Sequence, residues 1–230
     1  QSKKHSPEFT MLEWYRTDLT LHQLIDEVNA LMQDVFQLEP IIRLSYRSVF
    51  EFFFKLNVLT CSDDDIKHCA LERINSLPDD FDTDRDGWLE LLMSYAVEPR
   101  LAALNCPLFI YDFPASQSQL AKIKQDSSGN KVADRFELYI DGLELANGYN
   151  ELLDADELCQ RFEHDKQQRK EQGKAEIQID ENLLAAMKSG LPECSGVAIG
   201  LDRLIMLVMD KQEIAQVQSF SFEKAKENMI

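Results

Sequence analysis

No run of apolar residues in this 230-residue chain approaches the roughly 20 that a helix needs to cross a bilayer, and no signal peptide is found. A soluble, cytoplasmic protein is the expectation. Cysteine is scarce: Cys61, Cys69, Cys106, Cys159 and Cys194 are odd in number and contain no C-x-x-C, which suits reduced thiols better than a disulfide framework. Cys61, His68 and Cys69 lack the fourth ligand of a structural zinc site and read as an ordinary helix segment. Basic residues are short as well. With 24 Lys and Arg against 41 Asp and Glu, the formal charge of −17 argues against broad, sequence-independent attraction to nucleic acid or anionic membrane. At 44% hydrophobic residues, the chain can nevertheless bury a substantial core.

The most unusual stretch is RFELYIDGLELANGYNEL, Arg135 to Leu152. Asp141-Gly142 between two apolar runs predicts a two-residue hairpin, because both turn positions tolerate positive φ. That turn pairs Tyr139 with Glu144 and sets Glu137 diagonally across from Glu144 on one face. Two like charges so placed repel when ionised and are relieved by a hard divalent cation with oxygen ligands, such as Mg²⁺ with a nucleotide. Asn147, Tyr149 and Glu151 have the wrong parity for that face unless one extra residue near Leu145-Ala146 forms a β-bulge. With the bulge, Asn147 and Glu151 extend the acidic face, and a carboxylate there can hold an ammonium group. An acidic edge hairpin with solvated glutamates is the competing reading.

Two further stretches carry chemistry. In HSPEFTMLEWYR, strand alternation puts Phe9, Met11, Glu13 and Tyr15 on one face, poor as core but suited to stacking a base and holding an amine. Lys3, Lys4 and His5 before it can reach phosphates. In CSGVAIGLDRLIMLVMD, Gly196, Ala198 and Gly200 leave one strand face nearly bare, and Arg203 follows in the first turn of a helix, a phosphate-favouring arrangement. The remaining chain reads as scaffold. A 3.6-residue period from Leu21 to Phe36, capped by Asp18 or Thr20, predicts a packing helix, followed by a short strand at Ile41 to Leu44 and a helix at Tyr46 to Leu56. Asp82, Asp84, Asp86 and Gly87 imitate a calcium loop, but Met93 stands where the bidentate glutamate belongs, so they read as the start of a helix from Gly87 to Val97. Cys106 to Phe113 predicts a buried strand, Asp154 to Gly173 a highly charged helix, and Asp180 the cap of a helix from Glu181 to Lys188.

Taken together, these stretches resemble the later part of a class II aminoacyl-tRNA synthetase catalytic domain, nearest its lysine-specific members. HSPEFTMLEWYR is similar to the second half of motif 2, RFELYIDGLELANGYNEL to the metal and lysine segment, and GVAIGLDRLIML to motif 3. The resemblance implies an α+β fold, an antiparallel β-sheet flanked by helices. It also implies that His5, Phe9, Met11 and Arg203 bind ATP, that Glu137 and Glu144 hold Mg²⁺, and that Glu13, Tyr15, Asn147, Glu151 and Ala198 bind the amino acid. Arg203 and Glu144 are then the catalytic pair. FPASQSQLAKI, Phe113 to Ile123, and Ala198, where lysyl-tRNA synthetases have glycine, are closer to the paralogous ligases that pass lysine or (R)-β-lysine to elongation factor P than to tRNA-charging enzymes. A homodimer is implied too, with neither membrane nor tRNA as partner. Motif 1 and the first strand of motif 2 are not found in residues 1–230, which by this resemblance form the C-terminal major part of a single catalytic domain; these 230 residues alone are expected to activate lysine poorly. A lysyl-tRNA synthetase fragment and a non-catalytic lysine- and ATP-binding protein remain as alternative readings.

Overall fold

A computed structural model describes residues 3–37, 40–78, 80–171 and 173–221. Seven strands form one sheet in the order β1-β7-β6-β5-β3-β2, with β4 also paired to β5. These are β1 (Met11–Thr17), β2 (Ile42–Ser45), β3 (Leu108–Pro114), β4 (Ile123–Gln125), β5 (Lys131–Ile140), β6 (Leu143–Asn150) and β7 (Cys194–Gly200). Every pairing among them is antiparallel except β2 with β3, so the expected antiparallel sheet carries one parallel pair at its edge.

One face of the sheet is closed by α1 (Leu21–Phe36). Thr20 caps it, accepting from the Gln23 N–H while the Gln23 side chain accepts from the Thr20 N–H, so two end donors are satisfied reciprocally. Leu21, Leu24, Ile25, Val28 and Met32 recur at helical spacing and pack with Phe109, Phe136, Leu138, Val197 and Ile199 of the sheet. Trp14 and Arg16 of β1 join this side, both bonded to Glu27 of α1. A second core covers the opposite face over β3 and β5, built by α2 (Tyr46–Phe54), α3 (Asp63–Leu71), α4 (Arg85–Leu92) and α5 (Glu98–Leu104). Asp84 caps α4 through the Gly87 N–H, and Asp86 accepts from Ser116, so the calcium-like aspartates serve as helix start and loop anchor. The helix expected to end at Val97 instead passes through one wide turn, Met93–Val97, into α5. Pro99 has no N–H to continue the ladder, and the Glu98 N–H reaches back five residues to the Met93 carbonyl.

The hairpin between β5 and β6 turns at Asp141 and Gly142, with φ of 56° and 65°. Tyr139 pairs with Glu144 but Leu138 with Ala146, so Leu145 is the extra residue and the anticipated bulge lies where parity required it. Gly148 then faces the α1 side, where an added Cβ would lie 2.6 Å from Phe136 Cζ and 3.0 Å from the Gly196 carbonyl oxygen. Both neighbours are fixed by the core. Gly148→Ala is therefore expected to lower the unfolding free energy by about 2–3 kcal/mol, read from the urea midpoint; an unchanged midpoint would mean that β6 can shift.

After β6 come α6 (Ala155–Glu171) and α7 (Glu181–Lys188), which share a small core of Leu158, Leu184 and Met187. β7 leads into α8 (Leu201–Val208). Over β1, β7 and β6, the sheet face opposite α1 lines a cavity.

Candidate functional site

The register places two rows of side chains across this open part of the sheet. Glu13 pairs with Ala198, Ala198 with Asn147, and Asn147 with Glu137. One step along, Tyr15 pairs with Gly196, Gly196 with Tyr149, and Tyr149 with Arg135. Small residues on β7 thus form a low floor between the β1 side chains and the β6–β5 hairpin. An added Cβ at Gly196 would lie 2.5 Å from both Glu151 Oε1 and Tyr15 Cε1, so the missing side chain is what lets those two groups approach each other.

A cavity of about 260 Å³ lies at the other end of these rows. His5, Phe9, Met11, Glu144, Asn147, Ala198 and Arg203 all line it, bringing together seven of the residues singled out from the sequence. Phe9 lies just outside β1, which begins at Met11; the Leu201 N–H donates to the Thr10 carbonyl at 2.9 Å and the Thr10 N–H to Asp202 Oδ2 at 2.6 Å. The opening loop is held from the other side by the Ile214 N–H on the Lys3 carbonyl (2.8 Å) and the Lys3–Glu213 ion pair (3.2 Å). Arg203 projects from the first turn of α8, donating through Nη1 to the Glu144 carbonyl at 2.7 Å, with a Glu144 carboxylate oxygen 3.9 Å away. Burial, and then the Arg203 charge, hold the His5 imidazole below its usual range.

Glu137 is not a solvated edge carboxylate: it is 7% exposed. It accepts from the Arg135 guanidinium and from the Tyr139 hydroxyl. Burial pushes the Glu137 and Glu144 carboxyls above the ordinary range; each raises the demand for positive charge, which Arg135 and Arg203 meet in part. Glu151 follows β6, and desolvation alone raises its carboxyl to about 7. Burial and the nearby Glu151 and Glu13 raise the Tyr15 phenol.

Among the described residues, no three His, Cys, Asp or Glu side chains are grouped to hold a metal ion. Magnesium, however, is commonly bound through one or two carboxylates together with substrate phosphates, and the buried Glu137, whose carboxyl is raised further by the half-exposed Glu144, fits that mode.

A model of the class II tRNA synthetases (D, K and N) matches residues 1–224. The chain belongs to that family. Among curated relatives of this class II domain, the elongation factor P--(R)-beta-lysine ligase of Photorhabdus laumondii is 43% identical over 96% of the chain and 67% of that protein. The protein of the same name from Pectobacterium atrosepticum is 44% identical, over 97% of the chain and 68% of the relative. That of Salmonella dublin is 43% identical over the same shares.

Two charged residues beside these side chains were not singled out from the sequence. Arg135 stands two residues before Glu137 on the same strand face, and that spacing, in a run otherwise destined for burial, was the available signal for a paired charge. Glu98, at the start of α5, has its carboxyl pushed up to about 7 by burial; it feels Lys4, Glu137 and Arg203, and no periodicity pointed to it.

Proposed function

We propose that this protein activates lysine or (R)-β-lysine with ATP as an aminoacyl adenylate and transfers the acyl group to a lysine ε-amino group of elongation factor P. The observation that carries this reading is the approach of Glu151 and Tyr15 over Gly196, one sheet row along from Ala198 and Asn147, which line the cavity with Phe9 and Arg203. Its chemistry suits a diamino acid laid beside a nucleotide. The relatives' names supply the acceptor protein.

In the first step, a carboxylate oxygen of the amino acid attacks the α-phosphorus of ATP, a P–O bond forms, and the bond to pyrophosphate breaks. Phe9 and Met11 flank the base, and His5 and Arg203 face the phosphates. Arg203, fixed by the Glu144 carbonyl, is poised to neutralise charge on the departing pyrophosphate without reorganising. Glu151, with Tyr15 beside it, takes the ε-ammonium, while Glu13 and Asn147 orient the other end over Ala198. Mg²⁺, held by Glu144 and Glu137, would supply Lewis-acid stabilisation of phosphate charge. In the second step, the acceptor amine attacks the acyl carbon, a C–N bond forms, and AMP leaves. The homodimer belongs to this proposal as well, as does the reading of residues 1–230 as the major part of one catalytic domain.

The test is lysine-dependent exchange of pyrophosphate into ATP by the protein at its relatives' full length, comparing L-lysine with (R)-β-lysine, followed by a mass shift on elongation factor P. Exchange with neither amino acid would overturn the reading.

A pH dependence follows from Glu151. Its free carboxyl titrates near 7 and must be ionised to hold an ammonium group, so binding draws its pKa down and releases a proton. Lysine affinity is expected to fall by up to about tenfold for each pH unit below 7 and to level off above it. Calorimetry between pH 5.5 and about 8.5, in buffers of different ionisation enthalpy, measures both slope and proton release. A flat profile would remove Glu151 from the ammonium site.

A further inference from the structure

Arg135 is buried below the amino-acid end of the pocket, and three of its nitrogens donate to three different elements. Nε donates to Asn147 Oδ1 at 3.1 Å, Nη1 to the Gln117 carbonyl at 3.1 Å, and Nη2 to the Glu137 carboxylate. The guanidinium carbon lies 4.4 Å from the Phe113 ring centroid, so the group is stacked as well as bonded. A guanidinium cannot accept a hydrogen bond, so the Asn147 atom facing it must be the oxygen. The amide NH₂ is thereby turned the other way, where it donates to the Tyr149 hydroxyl at 2.9 Å. That hydroxyl in turn donates a hydrogen bond to Gln119 Oε1. One donor-only group at the end of the chain sets the direction of each successive bond.

The Asn147 NH₂ carries two hydrogens and Tyr149 takes one. Asn147 lines the cavity, and its second N–H remains for an acceptor there. Gln119 belongs to the loop after β3, which is pinned from α6 by Arg161 Nη1 on the Gln119 and Ala121 carbonyls, at 2.6 and 2.9 Å. Gln119 itself has φ of 48°, a backbone state that needs such anchoring.

We propose that Arg135, Tyr149 and Gln119 are positioning residues that lock the Asn147 amide with one N–H toward the substrate carboxylate, so that the 115–119 loop takes part in substrate selection. This rests on the reading of the site as one for a diamino acid. The ammonium end is Glu151's concern, and the relay governs only the carboxylate end.

The two ends can be probed separately with L-lysine and with cadaverine, the same diamine without a carboxylate. Tyr149→Phe keeps the ring and removes only the hydroxyl. It is expected to weaken L-lysine binding about tenfold by calorimetry while leaving cadaverine and ATP binding within about twofold. Gln119→Leu should behave in the same way, and Gln119→Glu, which keeps an acceptor facing the hydroxyl, should restore most of the lysine affinity. Thermal melting of each variant reports whether the fold is intact. Equal loss of lysine and cadaverine binding, or unchanged lysine binding in both Tyr149→Phe and Gln119→Leu, would overturn the relay while leaving the amino-acid site standing. Failure of the unsubstituted protein to bind lysine would overturn the diamino-acid reading and the relay with it.

Discussion

Glu151→Gln is expected to weaken lysine binding by about 10²–10³-fold, the loss typical when one partner of a desolvated charge pair is removed. The glutamine is isosteric and can still accept a hydrogen bond, but it cannot offset the charge of an ammonium in a recess that already raises the carboxyl to about 7 by desolvation alone. ATP binding should change by less than about twofold, because Glu151 lies beyond the Ala198–Asn147 row, away from Phe9 and Arg203. Norleucine, which lacks the ε-amino group, provides the complementary control: it should bind the variant about as well as it binds the unsubstituted protein. Lysine affinity within threefold of the original would show that the ammonium is held elsewhere.

Arg203→Met should lower the pyrophosphate-exchange rate at saturating lysine by about 10²–10³-fold, comparable to removing one preorganised charge donor from a developing anion. Methionine preserves much of the apolar stem, so the loss is chemical and does not come from unpacking α8. Lysine affinity should stay nearly constant, separating this effect from that of Glu151→Gln. Arg203→Lys is expected to recover only a small part of the rate. A lysine ammonium is a compact point charge, whereas the guanidinium fork can hold the Glu144 carbonyl with one nitrogen and leave others for phosphate. A rate within fivefold of the original in Arg203→Met would assign the phosphate contact to another group, His5 or Lys4 being nearest to hand.

The parts of this architecture that follow from local rules were legible in the sequence. Asp141-Gly142 specified the turn, and the parity conflict of Asn147 and Glu151 required the bulge that Leu145 supplies. The period of Leu21 to Phe36 placed α1, and of the two cap candidates, Asp18 and Thr20, the structure uses Thr20. The capped aspartates gave the start of α4 within two positions, but its course beyond Val97 depended on how Pro99 is accommodated, through a wide turn that no periodicity encodes. What could not be read was tertiary. The parallel pairing of β2 with β3 depends on the helices between them, and the partner of Glu137 depends on which carboxylate a buried Arg135 chooses. Glu98 is missed for the same reason: its neighbours Lys4, Glu137 and Arg203 come from three distant segments.

The opening loop is fastened twice, through Thr10 to Asp202 in the first turn of α8 and through Lys3 to Ile214 and Glu213 in the chain that follows α8. A protease cut just after Met209 would therefore loosen more than a tail, because the wall carrying His5 and Phe9 would lose one of its two moorings. Nucleotide gripped between that wall and Arg203 acts as an additional clasp, so digestion at both flanks should slow together when ATP is present.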